Sequence, residues 1–512
     1  MAELADAQDS GSCARKGVGV QVPPRAPDDD CSSPGQGSER SAIAAVSFAT
    51  QLLGAALIRR ASGGKLCAGT WGHVVRRIGF ALLAVVALWW AVAPSGAIAV
   101  SGAASIGVPT IAAGGPDTCA VLADGTAKCW GDNSDGQLGN GTLNGSAVPV
   151  TVENAAGTGP LTGIAQIVIG GGDACARMRD GTAQCWGESA DGALGAGSSV
   201  LADQCPPDSG FPTCIMLPVT VENPSGTGPL TGIARLVTGG GQTCAVLVDR
   251  TARCWGDNYV GQLGIGNNFG PNACDTGLDF ACSWLPITVE NRAGTGPLTG
   301  VTGISVNGSD TCASFANGTV DCWGDNEDAQ LGIGTATGPQ ICDLGGPSVA
   351  CSKLPVVVRN HTNAAPLTGV VQTYTGALAT RTCARMSNRT VQCWGAHPTI
   401  VKNTAGTAAL QNVVAIAAGN AHWCALLTNA TVKCWGANDN GQLGDGTRAV
   451  RTRPVAVRGV AHAVAIAAGS EHSCAVSADG TVRCWGQNTF GQLGNGTTTT
   501  RSTAPVVVKG LD

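Results

Sequence analysis

The 512-residue sequence has few aromatic and charged residues, which make up only 4% and 13% of it. From residue 100 onward it carries 21 basic and 28 acidic residues, a net charge of −7, and no cluster of Lys or Arg. Nucleic-acid-binding proteins carry basic patches, so this composition argues against that class.

Recognisable catalytic motifs are also missing from the sequence. It has no phosphate-binding Gly-Lys motif, no His-Glu-x-x-His and no Gly-x-Ser-x-Gly. We therefore predict no catalytic residue, no metal site and no cofactor. A pair of catalytic carboxylates remains compatible with the sequence, because its members need not be close along the chain.

Glycine and cysteine, in contrast, are abundant, with 75 and 23 copies. Seven segments share one pattern, in which two cysteines with nine residues between them precede a tryptophan. The first reads CAVLADGTAKCW and spans Cys119 to Trp130. Short strands on either side of Asp124-Gly125 predict a β-hairpin. A three-residue loop, Ala123 to Gly125, would place the two cysteines directly opposite each other, within reach of a disulfide bond.

The third residue of such a loop adopts a left-handed conformation, which glycine tolerates best. Four of the seven copies have glycine there, and the other three have Arg250, Arg389 and Ala430. We expect those three turns to be strained or differently built. Zinc is the alternative role for the paired cysteines, but structural zinc ligands lie closer together in sequence.

The 20 cysteines after residue 100 divide into ten local pairs. Three cysteines, Cys13, Cys31 and Cys67, lie earlier and have no local mate. An even number in regular local pairs favours an oxidising compartment. The predicted disulfides are Cys119–Cys129, Cys175–Cys185, Cys205–Cys214, Cys244–Cys254, Cys274–Cys282, Cys312–Cys322, Cys342–Cys351, Cys383–Cys393, Cys424–Cys434 and Cys474–Cys484.

A secretion signal is predicted at residues 74–99. Arg76-Arg77 precede an uncharged apolar run from Ile78 to Ala93, and small-residue cleavage sites follow. The run is shorter than a membrane-spanning helix requires, which favours a cleaved signal over an uncleaved anchor. Residues 1–73 are predicted to be a disordered leader, or a stretch that is not translated because the start is assigned too early.

The repeats that follow, over residues 100–512, predict an all-β fold. Each unit offers an apolar lead-in strand, the hairpin and a β-branched strand, with glycine-rich turns and no helical periodicity. Segments such as CWGDNSDGQLGNGT from Cys129 and CWGQNTFGQLGNGT from Cys484 resemble the regulator of chromosome condensation repeat. The resemblance covers roughly residues 105–510 and implies a seven-bladed β-propeller closed into a ring by its chain ends. The family includes secreted, disulfide-rich bacterial propellers, which this sequence resembles.

Two local features of the repeats need separate interpretation. The Gly-Gln-Leu-Gly segments are predicted to be structural, with leucine in the core between blades, and the fifth unit lacks this segment, so blade five should be the weakest. The stretch DNSDG from Asp132 resembles a calcium loop, but Leu143 stands where the last acidic ligand belongs, which favours a simple turn.

A ring of polar residues is predicted two positions before each first hairpin cysteine. Its members form a circle near one mouth of the channel, and we expect them to be solvated rather than to form a pocket. They are Asp117, Asp173, Gln242, Asp310, Arg381, His422 and His472.

Three loops in blades two, three and four carry the remaining cysteine pairs. They read CPPDSGFPTC, CDTGLDFAC and CDLGGPSVAC and occupy the same point of the repeat, so they should crowd one sector of one rim. A loop clipped by its own disulfide presents a fixed shape to a partner at lower entropic cost. The candidate partner-binding residues are Asp208, Phe211, Asp275, Asp279, Phe280, Trp284 and Asp343. The alternative is that these loops are tolerated insertions.

The sequence therefore predicts a secreted or cell-envelope binding module, acting as a monomer on a protein or a surface polymer. The nuclear activity of the family, nucleotide exchange on a small GTPase, conflicts with the signal, the disulfides and the acidic charge. Two other functions remain open. One is a polysaccharide-active hydrolase or lyase that uses channel carboxylates, and the other is a passive surface protein held by an uncleaved anchor.

Overall fold

The computed structural model describes residues 110–197, 213–273, 281–342, 348–376, 381–395 and 398–511. The predicted leader and signal segment lie outside these residues. In these described residues, thirty strands form seven antiparallel sheets, each made from one continuous stretch of chain. Among the described residues, none forms a helix long and apolar enough to cross a membrane.

The first four sheets, blades one to four, contain eighteen strands. Their bounds are β1 Thr110–Gly114, β2 Asp117–Val121, β3 Ala127–Gly131, β4 Ser146–Thr151; β5 Ile164–Ile169, β6 Asp173–Met178, β7 Ala183–Glu188, β8 Cys214–Thr220; β9 Ile233–Gly239, β10 Gln242–Leu247, β11 Ala252–Asp257, β12 Asn272–Ala273, β13 Ala281–Thr288; β14 Val301–Val306, β15 Asp310–Phe315, β16 Val320–Asp325, β17 Gln340–Cys342 and β18 Val349–Val357.

Blades five to seven have four strands each. Their bounds are β19 Val370–Thr375, β20 Arg381–Met386, β21 Val391–Gly395, β22 Thr399–Ile400; β23 Val413–Ala418, β24 His422–Leu427, β25 Val432–Gly436, β26 Arg451–Ala456; β27 Ala463–Ala468, β28 His472–Ser477, β29 Val482–Gln487 and β30 Arg501–Val507.

The first strand of each blade lies innermost and contacts the first strand of the next blade, in a closed cycle β1-β5-β9-β14-β19-β23-β27-β1. The cycle closes because blade seven packs against blade one. Ile111, Ala113 and Trp130 share a buried cluster with residues of blade seven, and the Ser470 amide donates to the Gly115 carbonyl at 2.9 Å. The protein is thus an all-β, seven-bladed propeller, as the sequence predicts.

Every blade has a disulfide between the two strands of its hairpin, which confirms the predicted cysteine pairing in the repeats. Cys119 lies directly opposite Cys129 in the register of β2 and β3, with their Cα atoms 4.0 Å apart. The loop is the predicted three-residue type, because the Leu122 amide donates to the Thr126 carbonyl at 2.8 Å and Gly125 has a φ of 81°. The hairpin bonds described are Cys119–Cys129, Cys175–Cys185, Cys244–Cys254, Cys312–Cys322, Cys383–Cys393, Cys424–Cys434 and Cys474–Cys484.

The three turns without glycine keep the same left-handed backbone, as expected for strained turns. Arg250, Arg389 and Ala430 have φ angles of 65°, 62° and 62°. This conformation costs a non-glycine residue roughly 1 kcal/mol. The stapled hairpin therefore imposes one geometry on seven copies, including those whose residues disfavour it.

Candidate partner-binding face

In six of the seven blades, the repeated tryptophan donates a hydrogen bond to the previous blade. The indole N–H of Trp186, in blade two, donates to the backbone carbonyl of Gln137 in blade one at 2.8 Å. A Cβ atom on Gly139 would lie 2.7 Å from the same indole nitrogen, so only glycine fits there. The Gln137 side chain accepts from the Asp135 amide, and Leu138 is fully buried. The predicted structural role of Gly-Gln-Leu-Gly is confirmed.

Blade five lacks this connection to blade six, as its sequence suggests. The same indole bond occurs in six of the seven blades, and Trp435 of blade six has no such bond among the described residues. The outer strand of blade five, β22, has only two residues. The core nevertheless continues across the junction, because Tyr374, Val391 and Ile416 share one buried cluster. Blade five therefore has a shorter outer strand and no indole bond to blade six among the described residues, while the buried core continues across the junction.

One face of the propeller holds both the polar ring and the disulfide-clipped loops. We call it the rim face. Asp117 at the start of β2 pairs with Gly131 at the end of β3, so the loops before and after these residues emerge together. The hairpin turns, such as Ala123 to Gly125, lie at the other end of the same strands, on the turn face. In every blade the residue that begins the hairpin's first strand lies on the rim face, and the hairpin turn lies on the turn face.

The polar ring is buried, so the expectation that it is solvated was wrong. Asp117, Asp173, Gln242, Asp310, His422 and His472 are each at most 3% exposed. The reason is that each of these residues begins a strand, and its side chain points toward the neighbouring blade. Four members bind hydroxyl groups across the junction, and these bonds are His422 to Ser473, His472 to Thr118, Gln242 to Thr311, and Asp173, which accepts from Thr238.

Burial moves the pKa of these groups in opposite directions in the two parts of the ring. Loss of hydration lowers the pKa of His422 to about 4 and that of His472 to about 3, so both imidazoles are neutral at neutral pH. Burial raises the pKa of Asp173 to about 6 and that of Asp310 to about 8. The pKa of Asp117 rises well above its usual range through burial and the nearby Asp132 and Asp135.

The clipped loops extend the outer edge of blades three and four on the rim face. Each adds a short strand: β12 pairs with β13, and β17 pairs with β18. The Cys342–Cys351 disulfide ties the second of these hairpins, with Cα atoms 5.8 Å apart. Cys214 and Cys282 are also disulfide-bonded, and their predicted mates Cys205 and Cys274 lie outside the described residues.

Of the predicted partner-binding residues, only Trp284 lies in the part of the chain that the structure describes. It is partly buried against the Gly192–Gly197 turn of blade two, and its carbonyl accepts from the Gly197 amide at 3.2 Å. Trp284 thus packs between blades as well as flanking the loop. The six others, Asp208, Phe211, Asp275, Asp279, Phe280 and Asp343, lie outside the described residues.

Two exposed apolar side chains beside the clipped loops were missed by the sequence reasoning. Phe269 is 68% exposed just before β12, and Ile341 is 60% exposed within β17. Exposed aromatic and large aliphatic residues are typical of interface anchors. Nearness to a clipped-loop cysteine is the signal in the sequence, because Phe269 lies five residues before Cys274 and Ile341 directly precedes Cys342.

The described residues contain no group of three or more His, Cys, Asp or Glu side chains placed to hold a metal ion. The DNSDG segment folds as a turn in which Asp132 accepts from the amides of Asn133 and Ser134. The groups described on the rim face are thus carboxylates, amides, hydroxyls and exposed apolar side chains, rather than a set of metal ligands.

Comparison with known proteins agrees with the repeat architecture. Two sequence profiles, each described as the regulator of chromosome condensation (RCC1) repeat, match residues 110–137, 413–442 and 463–492, and residues 124–176, 431–476 and 479–512. The chain is a seven-bladed propeller built of RCC1 repeats.

Its relatives by sequence include human E3 ubiquitin-protein ligase HERC2, 26% identical over 47% of this chain but only 4% of HERC2. The human protein described as probable E3 ubiquitin-protein ligase HERC6 is 26% identical over 46% of this chain and 20% of its own length. The match thus spans a small part of these ligases. Yeast RCC1 (Prp20), solved bound to Kap60, has a TM-score of 0.55 and 17% identity over 79% of this chain and 85% of its own. Human WBSCR16 has a TM-score of 0.55 and 17% identity over 74% and 93%.

Proposed function

We propose that the protein acts outside the cytoplasm as a protein-binding propeller, with the rim face as its binding surface. The observation that carries the proposal is the pair of disulfide-clipped loops whose short strands, β12 and β17, extend the outer edge of the adjacent blades three and four on the rim face. Phe269 and Ile341 beside these loops supply exposed anchors. Propellers of this fold are typically protein-binding scaffolds; the solved yeast proteins are described as bound to Kap60 and as binding Gsp1p and histones.

The disulfides support the extracytoplasmic part of the proposal. Hairpin bonds in every blade need an oxidising compartment to form and persist. The measurement is an intact mass of the protein expressed with its own signal segment and alkylated without reductant. We expect no alkylated cysteine after residue 100 and a new N-terminus near Pro94 or Val100. Many free thiols would contradict an extracytoplasmic location.

The binding part is tested by shortening the three clipped loops. Blade one supplies the template, because Gly141 to Ser146 joins its turn to its outer strand without an insertion. The matched control changes Ala155-Ala156 and Pro224-Ser225 to Gly-Ser on the turn face. In affinity capture from extracytoplasmic extract, partners retained by wild type and control should be lost by the shortened variant. Equal capture by all three proteins would refute the rim face as the binding surface.

An enzyme acting on polysaccharides is the second candidate, because buried carboxylates with raised pKa are typical general acids. Asp310, with a pKa of about 8, is protonated at neutral pH. The test is hydrolysis of a panel of glycans by wild type and by Asp310→Asn. Turnover that is abolished in the variant, with unchanged thermal stability, would favour the enzyme over the binding module.

A further inference from the structure

Two repeat positions on the rim face are acidic in blades one to four, with the single exception of Gln242 in blade three, and are not acidic in blades five to seven. The first is the polar ring, which holds Asp117, Asp173, Gln242 and Asp310, and then Arg381, His422 and His472. The second lies two residues after the tryptophan and holds Asp132, Glu188, Asp257 and Asp325, and then Ala396, Ala437 and Gln487. We call the seven carboxylates at these positions the acidic arc.

Beside the arc, Asp135 of blade one and Asp191 of blade two approach the arc carboxylates of the next blade. The position that a Cβ atom on Gly172 would take lies 2.9 Å from Glu188 Oε2 and 3.0 Å from Asp135 Oδ2. The corresponding position on Gly241 lies 2.7 Å from both Asp191 Oδ2 and Asp257 Oδ2. Like charges this close repel each other unless a proton or a cation neutralises them.

The arc and the adjoining Asp135 contain buried carboxylate oxygens that the described residues leave without a hydrogen-bond partner. Both oxygens of Asp117 are in this state, as is one oxygen each of Asp310 and Asp135. Asp117 and Asp310 are each 1% exposed. Oδ1 of Asp117 lies 3.0 Å from the Cβ position of Gly131, the residue before Asp132, so it points into the arc. A buried, unpaired carboxylate is costly, and a positive partner group would remove that cost.

The arc runs along the base of the clipped loops. Glu188 pairs in register with Cys214, Asp257 with Cys282, and Asp325 with Cys351. A protein that contacts the clipped loops therefore reaches these carboxylates. The second arc position is also partly exposed, at Asp132, Glu188, Asp257 and Asp325.

We propose that the acidic arc receives lysine and arginine side chains of the protein that docks on the rim face. This inference rests on the proposed binding function and specifies the chemistry of the partner. The carboxylates are spread over four blades rather than gathered at one point, which suits several separated positive charges on one partner. Arginine and lysine form charge-assisted hydrogen bonds with carboxylates, and such bonds are stronger where water is partly excluded.

The charges that act on the arc favour this partner and make its binding depend on pH. The groups that raise the pKa of Glu188, after burial itself, are Asp191, Asp135 and Asp173. The pKa of Asp325 rises to about 6 through burial, Glu327 and Asp328. Carboxylates bind cations in their ionised form, so affinity should fall as pH decreases from 7.5 to 5.

The test compares two triple variants that change charge equally. Asp132→Asn/Glu188→Gln/Asp257→Asn neutralises the second arc position in blades one to three, and blades six and seven already carry Ala437 and Gln487 there. Asp124→Asn/Asp180→Asn/Asp249→Asn is the matched control on the turn face of the same blades. Asparagine occupies this turn position naturally in Asn317, Asn388 and Asn429 and binds the same threonine amides.

The probe is a fluorescent, end-capped decapeptide with four lysines spaced by Gly-Ser, and its binding is followed by fluorescence anisotropy. Wild type and control should bind it equally in about 10 mM salt and much more weakly in about 150 mM. The arc variant should bind about tenfold more weakly in low salt. Thermal melts of all three proteins check folding.

Equal peptide binding by the arc variant and the control would overturn the proposal. The proposal would also be overturned if a chitosan oligosaccharide, or calcium ions added as calcium chloride, bound through the arc while the peptide did not bind. The partners captured from extract distinguish a failure of this inference from a failure of the proposed function. If the arc variant retains them and the loop-shortened variant loses them, the rim face binds proteins through other chemistry.

Discussion

Blades one to four and blades five to seven build the same mouth of one propeller from different side chains. In the first group the mouth carries carboxylates, and clipped loops extend blades three and four. In the second group two histidines bind hydroxyls across the junctions, from His422 to Ser473 and from His472 to Thr118. The difference shows that one repeat can carry different groups at the same positions: neutral imidazoles on the histidine side, and carboxylates with a raised pKa on the acidic side.

The largest expected effect concerns pH, because the two sides should respond to it in opposite directions. The folded-state pKa of His472 is about 3, below the ordinary 6.5, so its contribution to stability is present above pH 6.5 and is lost as pH falls. At pH 5 the loss is about 2 kcal/mol. His472→Gln keeps a hydrogen-bonding group, as Gln242 does in blade three, and should remove this acid destabilisation. Thermal melts between pH 4.5 and 8 measure it.

Asp310→Asn is the corresponding change on the acidic side. The raised pKa of Asp310, about 8, means that its stabilising contribution is present below the ordinary value of 3.8 and is lost as pH rises toward 8. We expect the melting temperature of the variant to fall less than that of wild type as pH rises. If both variants kept the wild-type pH profile, the opposing responses of the two sides would be disproved.

A medium effect is expected from the tryptophan that joins the blades. Trp186→Phe removes the indole bond and leaves the Gln137 carbonyl without this donor, at a cost of about 2 kcal/mol including the lost packing. Trp435→Phe should cost about 1 kcal/mol, because no equivalent bond to blade five is described. Denaturant unfolding of the two variants gives the comparison. Equal losses would mean that the indole bond contributes little and that blade five is joined as firmly as the others.

The smallest effect is expected at the hairpin turns. Gly125→Ala forces a Cβ onto a residue with φ 81° and should destabilise by about 1 kcal/mol. Ala430→Gly relieves the same strain at φ 62°, but the unfolded chain also gains freedom, so the net stabilisation should stay below about 1 kcal/mol. Thermal melts of both variants check the signs. A destabilising Ala430→Gly would show that the disulfide, rather than the turn residue, sets the turn geometry.

Much of the fold was predictable from local patterns. The nine-residue spacing of Cys119 and Cys129 indicated the hairpin register, and seven copies of Trp-Gly, four of them followed by Gly-Gln-Leu-Gly, predicted the propeller through their resemblance to a known repeat. The burial of His472 and Asp117 was not predictable, because a strand-entry residue is solvated or buried according to what the neighbouring blade places against it. That neighbour is set by closure of the ring, which brings Thr118 to His472 across 354 residues of sequence.

The acidic arc shows a similar limit for the candidate site. Its carboxylates occur singly along the sequence, and no stretch around Asp132 or Glu188 looks unusually acidic. Their accumulation appears only when equivalent positions are stacked around the ring. Phe269 and Ile341 escaped notice for a simpler reason: exposure depends on how β12 and β17 fold back, and two- and three-residue strands leave little pattern in a sequence.

Closure of the ring has a consequence for how such a molecule can change over evolutionary time. Each blade is one contiguous stretch of chain, and blade seven meets blade one through side-chain packing and hydrogen bonds, without exchanging a strand. Lys128 in blade one even reaches the carbonyl of Gly510 at 2.7 Å. A coding segment for one repeat can therefore be duplicated, lost or moved as a unit, and a new binding sector can arise in some blades while the others keep the circle intact.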